Sequence, residues 1–419
     1  MIKRDSEWVF LALLFMTFYT APIFSYCPLR FSDIGGLIFI ILSLRRKKTI
    51  PKRDVSLSAM LLGLWCLVDI LFLFSLPSFD VTNHITQSVR LLGAILMFIC
   101  LPNFLENYGG EKLAVILRKV LVFHLWIQVI YVVLYYGGVG IFNVIHVDEE
   151  RAALISENYL FFNHFIIVNI ASGYPRFSGL FEEPAWFGWT INLAVAYILQ
   201  FQYTFHKNIL LQKDWALIAV AFFFTYSISS LICLLIITGV YLSKKYSQQI
   251  FKIIGVSILC VLFVVIYIKI NPFFLDRIQL IGEGGDGSTS FRIIGSVNGF
   301  LSTLSNNPLI GYGLGDTNTV QYFQSLHSLG LAHGLAINGE YILDMHNILF
   351  QVICNLGILG GLFFFYPFLK LFSLKNIVIT TGFILVFFCV NVYNTFYLFF
   401  IISASVYFYT ASYKERRIA

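Results

Sequence analysis

The sequence predicts an all-α integral membrane protein, a polytopic bundle of about twelve transmembrane helices. Three observations predict it. Apolar runs recur along nearly the whole chain. Charged residues make up only 12% of it, against about 25% in a soluble domain. Lys and Arg gather in short clusters at one set of run boundaries. The 58% hydrophobic content and mean hydropathy of +0.81 exclude a globule with one anchor. The net charge of +6 does not point to nucleic acid, because the basic residues flank apolar runs.

Spans are expected at 8–26, 31–44, 55–76, 84–102, 120–139, 184–205, 215–227, 228–243, 253–270, 346–369, 377–394 and 395–412. The first run, from Trp8 to about Ser25, lacks an A-x-A-like cleavage site and is read as a retained span. The run 215–243 reads as one long helix or two short ones, and charge decides between them. The cluster Arg45-Arg46-Lys47-Lys48, the pair Lys244-Lys245, Lys370 with Lys375, and the tail Lys414, Arg416 and Arg417 share the cytoplasmic side only if 215–243 crosses twice. The turn is expected near Ser227–Ser230. Both termini are then cytoplasmic. Of the 28 Lys and Arg, all but Arg30, Arg90, Arg151, Arg176, Lys269, Arg277 and Arg292 fall inside.

Two long segments are left outside, about 140–183 and 271–345. Both are acid-rich, and their only cations other than His are arginines: Arg151, Arg176, Arg277 and Arg292. Within the first, Tyr159 to Ile170 is apolar but too short to span and is expected to form an interfacial helix. Gly282–Ser288 reads as a flexible loop. There is no internal repeat, and the whole of 1–419 reads as a single polytopic domain. The seven Cys lie mostly inside apolar runs, with neither metal-ligand spacing nor a disulfide framework.

Three motifs stand on the outer side. The first runs Arg176-Phe-Ser-Gly179-Leu-Phe-Glu182-Glu183-Pro184, with Gly188 following. Pro184 suits a first helical turn, and Glu182 and Glu183 suit the positive end of the helix dipole. An ordinary helix start explains those residues but not Arg176 at a membrane surface. The second runs from Arg292 to Asn307-Pro308-Leu-Ile-Gly311-Tyr312-Gly313. Its glycines read as turns. Arg292 and Arg277 are candidate phosphate ligands, because a guanidinium binds phosphate bidentately; the bland alternative is pairing with loop acids. The third is His346-Asn347, followed after nine residues by Gly357 and Gly360. The glycines thin one helix face for close packing. His346, at the mouth of a membrane helix, is a candidate base, although a lone His is more often structural. His327 and His333 lie in the same loop without zinc spacing. Asp69 and Arg90 sit at similar depth in adjacent spans and are expected to pair, with Arg90 as a phosphate contact in the sharper reading. No nucleotide-binding P-loop or G-x-G-x-x-G context appears, and no D-x-D or G-x-S-x-G motif is present.

With these motifs in order, the chain resembles the bacterial O-antigen polymerase and O-antigen ligase superfamily from about residue 170 to 365. The carriers are Arg176-x-x-Gly179 with Pro184 and Gly188, Asn307-Pro308-x-x-Gly311-x-Gly313, and His346-Asn347 with Gly357 and Gly360. The last matches the ligase-type pattern. Polymerases are described by an arginine and a glycine with ten residues between them, and eleven residues separate Arg176 from Gly188. The resemblance implies a GT-C-like glycosyltransferase with its two large loops on the periplasmic face of the inner membrane. Its donor would be a glycan on undecaprenyl diphosphate, with no metal and no cofactor. A polymerase would pass that glycan to a second lipid-linked repeat unit, in the company of membrane lipid and a chain-length regulator. A ligase would pass it to lipid A–core.

The residues fit such a reaction. A departing diphosphate calls for arginines, here Arg176 and Arg292 with Arg277 and Arg90. An incoming sugar hydroxyl calls for a base of near-neutral pKa, here His346 beside Asn347. Glu182, Glu183 and Tyr312 complete the expected contacts. The acidic, Lys-free outer segments offer no basic patch for a phosphorylated lipid A–core, so polymerase is preferred to ligase. The rival class is a lipid-linked-sugar flippase, which would carry broken helices and charges at mid-membrane with inverted repeats.

Overall fold

In the computed structural model, the described residues are 2–18, 29–45, 53–72, 81–146, 167–171, 174–181, 183–246, 265, 269, 296–314, 336–337, 340–341, 347–389 and 395–409. Twelve helices lie among them. They are α1 (Ile2–Thr17), α2 (Phe31–Leu44), α3 (Arg53–Phe72), α4 (Val81–Tyr108), α5 (Gly110–Tyr136) and α6 (Pro184–Phe205). The others are α7 (Gln212–Thr225), α8 (Ile228–Lys245), α9 (Ser296–Asn306), α10 (Ile348–Leu369), α11 (Ile377–Cys389) and α12 (Phe396–Tyr409). Five short strands complete the list: β1 (Asn143–His146), β2 (Ile167–Ala171), β3 (Tyr174–Phe177), β4 (Ala336–Ile337) and β5 (Glu340–Tyr341).

Among the described residues, four segments are long and apolar enough to cross a membrane: Ile85–Tyr108, Gly110–Tyr136, Ile228–Lys245 and Ile348–Leu369. Five shorter apolar helices accompany them, Phe31–Leu44 and Phe396–Tyr409 among these. The expected span 253–270 lies almost entirely outside the described residues, as does the loop Gly282–Ser288. The expected interfacial helix is overturned. Ile167 to Ile170, placed in an interfacial helix by its apolarity, is a strand. It pairs parallel to β1 and antiparallel to β3, with Asn169 opposite Arg176. Three of the four residues are Ile or Val, types that favour a pleated, half-buried surface over a helix.

The chain divides into two compact units. The first comprises Met1–Phe31, Gly109–Asp286 and Ser373–Val386. Its centre is α6, buried from Phe187 through Gln202 on every face, as a helix surrounded by others must be. Helix directions follow from the polar contacts. Arg118 and Asp214 join the starts of α5 and α7 by two bonds of 2.5 and 3.0 Å. Tyr136 and Phe224 meet at their ends, so α5 and α7 run parallel. Asn192 donates to the Ser230 carbonyl at 2.8 Å, and Gln202 donates to the Tyr241 hydroxyl at 3.1 Å, so α6 and α8 run parallel. Lys207, just past the end of α6, pairs with Glu111 at the start of α5, which sets the two pairs antiparallel. The stretch 215–243 therefore reverses, as the charge pattern requires. The reversal is made by Tyr226 at φ 48°, followed by Ser227 as N-cap. Lys207, Lys213, Lys244 and Lys245 share one end of this unit, and the β1–β3 sheet caps the other.

The second unit comprises Ser32–Tyr108, Gly287–Phe372 and Phe387–Ala419. Helix α12 is buried along nearly its whole length and lies beside α2 and α4. Gly36 and Gly93 both receive Phe396, and a Cβ at either would lie within 3 Å of its ring. Ser58 donates to Phe363 O at 2.7 Å and Trp65 to Leu356 O at 2.8 Å. These contacts set α3 antiparallel to α10.

Candidate active site

In the first unit, Arg176 is carried on β3 immediately before α6. Side chains alternate across a strand, so Phe177 and Arg176 leave on opposite faces. Phe177 is fully buried with Val168, Tyr131 and Val132. Arg176 is half-buried on the other face. Below the strand, Gln128 of α5 donates to the Phe177 carbonyl at 2.7 Å. The chain then turns at Gly179, whose φ is 58°, and the Ser178 hydroxyl donates to Phe181 O. Glu183 is the N-cap of α6 and Pro184 its first residue. The Glu183 side chain makes no capping hydrogen bond, so its favourable interaction with the helix end is through the dipole. Gly188 lets α8 approach: a Cβ there would stand 1.9 Å from the Ser230 hydroxyl. Residues Arg176 to Gly188 thus form one strand, one tight turn and one helix start.

In the second unit, Asn347 caps α10. Its side-chain oxygen accepts from the N–H groups of Leu349 and Phe350 at 3.0 and 3.4 Å. Helix α10 is then broken at Gly357, where φ is 68° and ψ −176°. The glycine was expected only to thin a helix face. Gly360 does that, since a Cβ there would lie 2.7 Å from the Trp65 ring. Gly357 instead admits the backbone of the Asn307–Gly313 motif, with Leu309 O 2.1 Å from where its Cβ would be. Four hydrogen bonds close this clasp. Tyr312 N–H donates to Cys354 O at 2.7 Å and Gly313 N–H to Asn355 O at 2.9 Å. Trp65 Nε1–H donates to Leu356 O at 2.8 Å. Ile358 N–H donates to Pro308 O at 2.9 Å. An unpaired backbone group in a membrane interior costs several kcal/mol, so a break survives only where other donors take over the freed carbonyls. Here the two glycine motifs supply each other.

The expected pairing of Arg90 with Asp69 is not formed. Arg90, 5% exposed, bonds Asp33 at 3.1 and 3.4 Å. Asp69 accepts the Leu314 N–H at 3.2 Å. Position along adjacent helices does not set the direction a side chain takes around its own helix, and here the two residues face different partners. Tyr312 is 5% exposed and belongs to the clasp. His346, Arg292, Arg277 and Glu182 lie outside the described residues, His346 immediately before the Asn347 cap. The first unit therefore assembles Arg176, Gly179, Glu183, Pro184 and Gly188. The second assembles Asn347, Gly357 and Gly360 with Tyr312. Gln128, Asp33 and Trp65 were not anticipated, because each acts through a distant chain segment. Among the described residues, no group of three His, Cys, Asp or Glu could hold a metal.

Several apolar helices of spanning length, with motif residues at helix starts and at a helix break, describe a polytopic membrane protein. Residues 215–365 match the family model described as O-antigen ligase, and the match supports membership of the O-antigen polymerase and ligase superfamily. No curated protein matches the chain.

Proposed function

We propose that this protein is an O-antigen polymerase. It transfers a glycan from undecaprenyl diphosphate to another lipid-linked repeat unit at the periplasmic face of the inner membrane. The observation that carries the glycosyl-transfer part of this reading is the family match over 215–365, which spans Arg277, Arg292, the Asn307 motif and His346. Arg176 sits half-buried on a short strand before a helix start, a mounting suited to gripping a diphosphate while the lipid tail stays in the bilayer. His346 takes the proton of the attacking sugar hydroxyl as the new glycosidic bond forms. The C–O bond to the diphosphate breaks, and the arginines stabilise the charge that leaves with it. A chain-length regulator is a suitable partner for such an enzyme.

The description of the matching family favours a second reading, a ligase that transfers glycan to lipid A–core. Against it stand the acid-rich, Lys-free segments 140–183 and 271–345, which offer a phosphorylated core little attraction. Deleting the gene and resolving surface glycolipid on a gel separates the two. Loss of a polymerase leaves lipid A–core with a single repeat and no ladder. Bare core, with polymer retained on undecaprenyl diphosphate, would make the protein a ligase. Arg176→Lys and Arg292→Lys are each expected to lower transfer roughly tenfold or more while the protein accumulates normally, because lysine keeps the charge but not the planar fork.

A further inference from the structure

Two of the groups that hold the break in α10 come from one face of α3. Trp65 and Asp69 are four residues apart and so lie one turn apart on the same side. Trp65 bonds the helix side of the break at Leu356 O, and Asp69 bonds the loop side at Leu314 N–H. A carboxylate inside a span is costly and marks a functional role by default, and Asp69 is 3% exposed. Its bond is to backbone, so it constrains where the chain runs and not only which side chain sits nearby. Beyond the break, Ile348–Leu356 is a stiff helical rod about 13 Å long. At its start stands the Asn347 cap, which His346 immediately precedes in the sequence. A small shift at Gly357 swings that end.

We propose that Trp65 and Asp69 are positioning residues: they lock the 307–314 loop and the broken helix α10 in one register, and thereby set where His346 meets its substrate. The proposal rests on the glycosyl-transfer reading above. The loop follows α9 and contributes backbone bonds to α10. Helix α3 touches both halves of the clasp at once. Misplacing a base by about 1 Å lowers the rate of the chemical step far more than it lowers substrate affinity, since the lipid diphosphate is held by other residues.

Cys354 gives a readout of the clasp that is independent of activity. Its carbonyl accepts the Tyr312 N–H, and its side chain is 1% exposed. In full-length protein in membranes, with the other six cysteines replaced, reaction of Cys354 with N-ethylmaleimide is followed alongside transfer of a lipid-linked repeat. Trp65→Phe keeps the aromatic body and removes one N–H. Asp69→Ala removes the acceptor, and Asp69→Asn retains one. We expect Trp65→Phe and Asp69→Ala to speed the thiol reaction several-fold and to lower kcat roughly tenfold with KM for the donor unchanged. Asp69→Asn should recover most of both. Faster thiol labelling with unchanged kcat would overturn the proposal, and so would a rise in KM as large as the fall in kcat. Unchanged labelling in both variants would overturn it as well. If Asp69→Ala fails to accumulate, Trp65→Phe decides by the same readouts. Absence of transfer by the wild-type protein would instead overturn the functional reading, with the thiol rates still reporting whether the clasp depends on α3.

Discussion

Two helix starts bear the motif residues of this protein, and they are built by opposite means. Helix α6 begins from its neighbours in sequence: a strand, a turn at Gly179, Glu183 as N-cap and Pro184 as first residue. These residues lie within a dozen positions of one another, and Gln128 supports them from a distance. Helix α10 also starts locally, on the Asn347 cap, but it is defined by what happens at Gly357. There its freed carbonyls are taken by Tyr312, Gly313 and Trp65, residues roughly 40 to 290 positions away in sequence. The difference teaches that a helix start is encoded where it occurs. A helix break inside a membrane protein is encoded wherever the replacement donors are.

The sharpest test asks whether the two starts do different work. His346→Ala should lower transfer by about 100-fold or more, the usual range for a lost general base, while the lipid-linked donor still binds. Wild-type turnover with an unchanged pH profile would leave the two starts equivalent, and the histidine would be part of a cap.

The next test addresses how the break is held. Gly357→Ala places a Cβ against Leu309 O in a conformation essentially reserved for glycine. It should cost about 3 kcal/mol or more, read as a lowered midpoint in thermal unfolding of detergent-solubilised protein. Gly179→Ala also meets a positive φ, but its nearest neighbour would be 3.4 Å away. Its cost should be about 1–2 kcal/mol, the backbone penalty alone. Equal losses at the two glycines would erase the distinction between a tertiary break and a local turn.

The smallest effects sharpen the comparison of the starts themselves. Asn347→Ala removes an acceptor bonded to two N–H groups and should cost about 1 kcal/mol. Pro184→Ala should cost only about 0.4–1 kcal/mol, through the freer unfolded chain. A larger loss at Pro184 than at Asn347 would mean that α6 depends on its proline for packing and not only for its start.

Several features were legible from residues alone, and each depends on near neighbours. The run 31–44 is a helix over those residues, and 184–205 is a helix over its full predicted length. Pro184 announced the start of α6 because a ring-locked φ and a missing N–H suit only that position. The Lys and Arg asymmetry required a reversal inside 215–243, and the chain reverses at Tyr226 and Ser227. Apolarity without period misled at Ile167–Ile170, since a strand in a three-stranded sheet and an interfacial helix bury the same residue types.

What the sequence by itself determined is therefore most of the apolar helices among the described residues, the reversal within 215–243 and the glycines of the Asn307 motif as turns. Composition, capping residues and charge act within a few residues of where they stand. Only the tertiary structure decided which group answers each buried demand: Asp33 and not Asp69 for Arg90, Leu314 for Asp69, and Trp65 with the 307–314 loop for the carbonyls freed at Gly357. Those pairings depend on the rotation of each helix about its own axis, which close packing sets and local sequence does not.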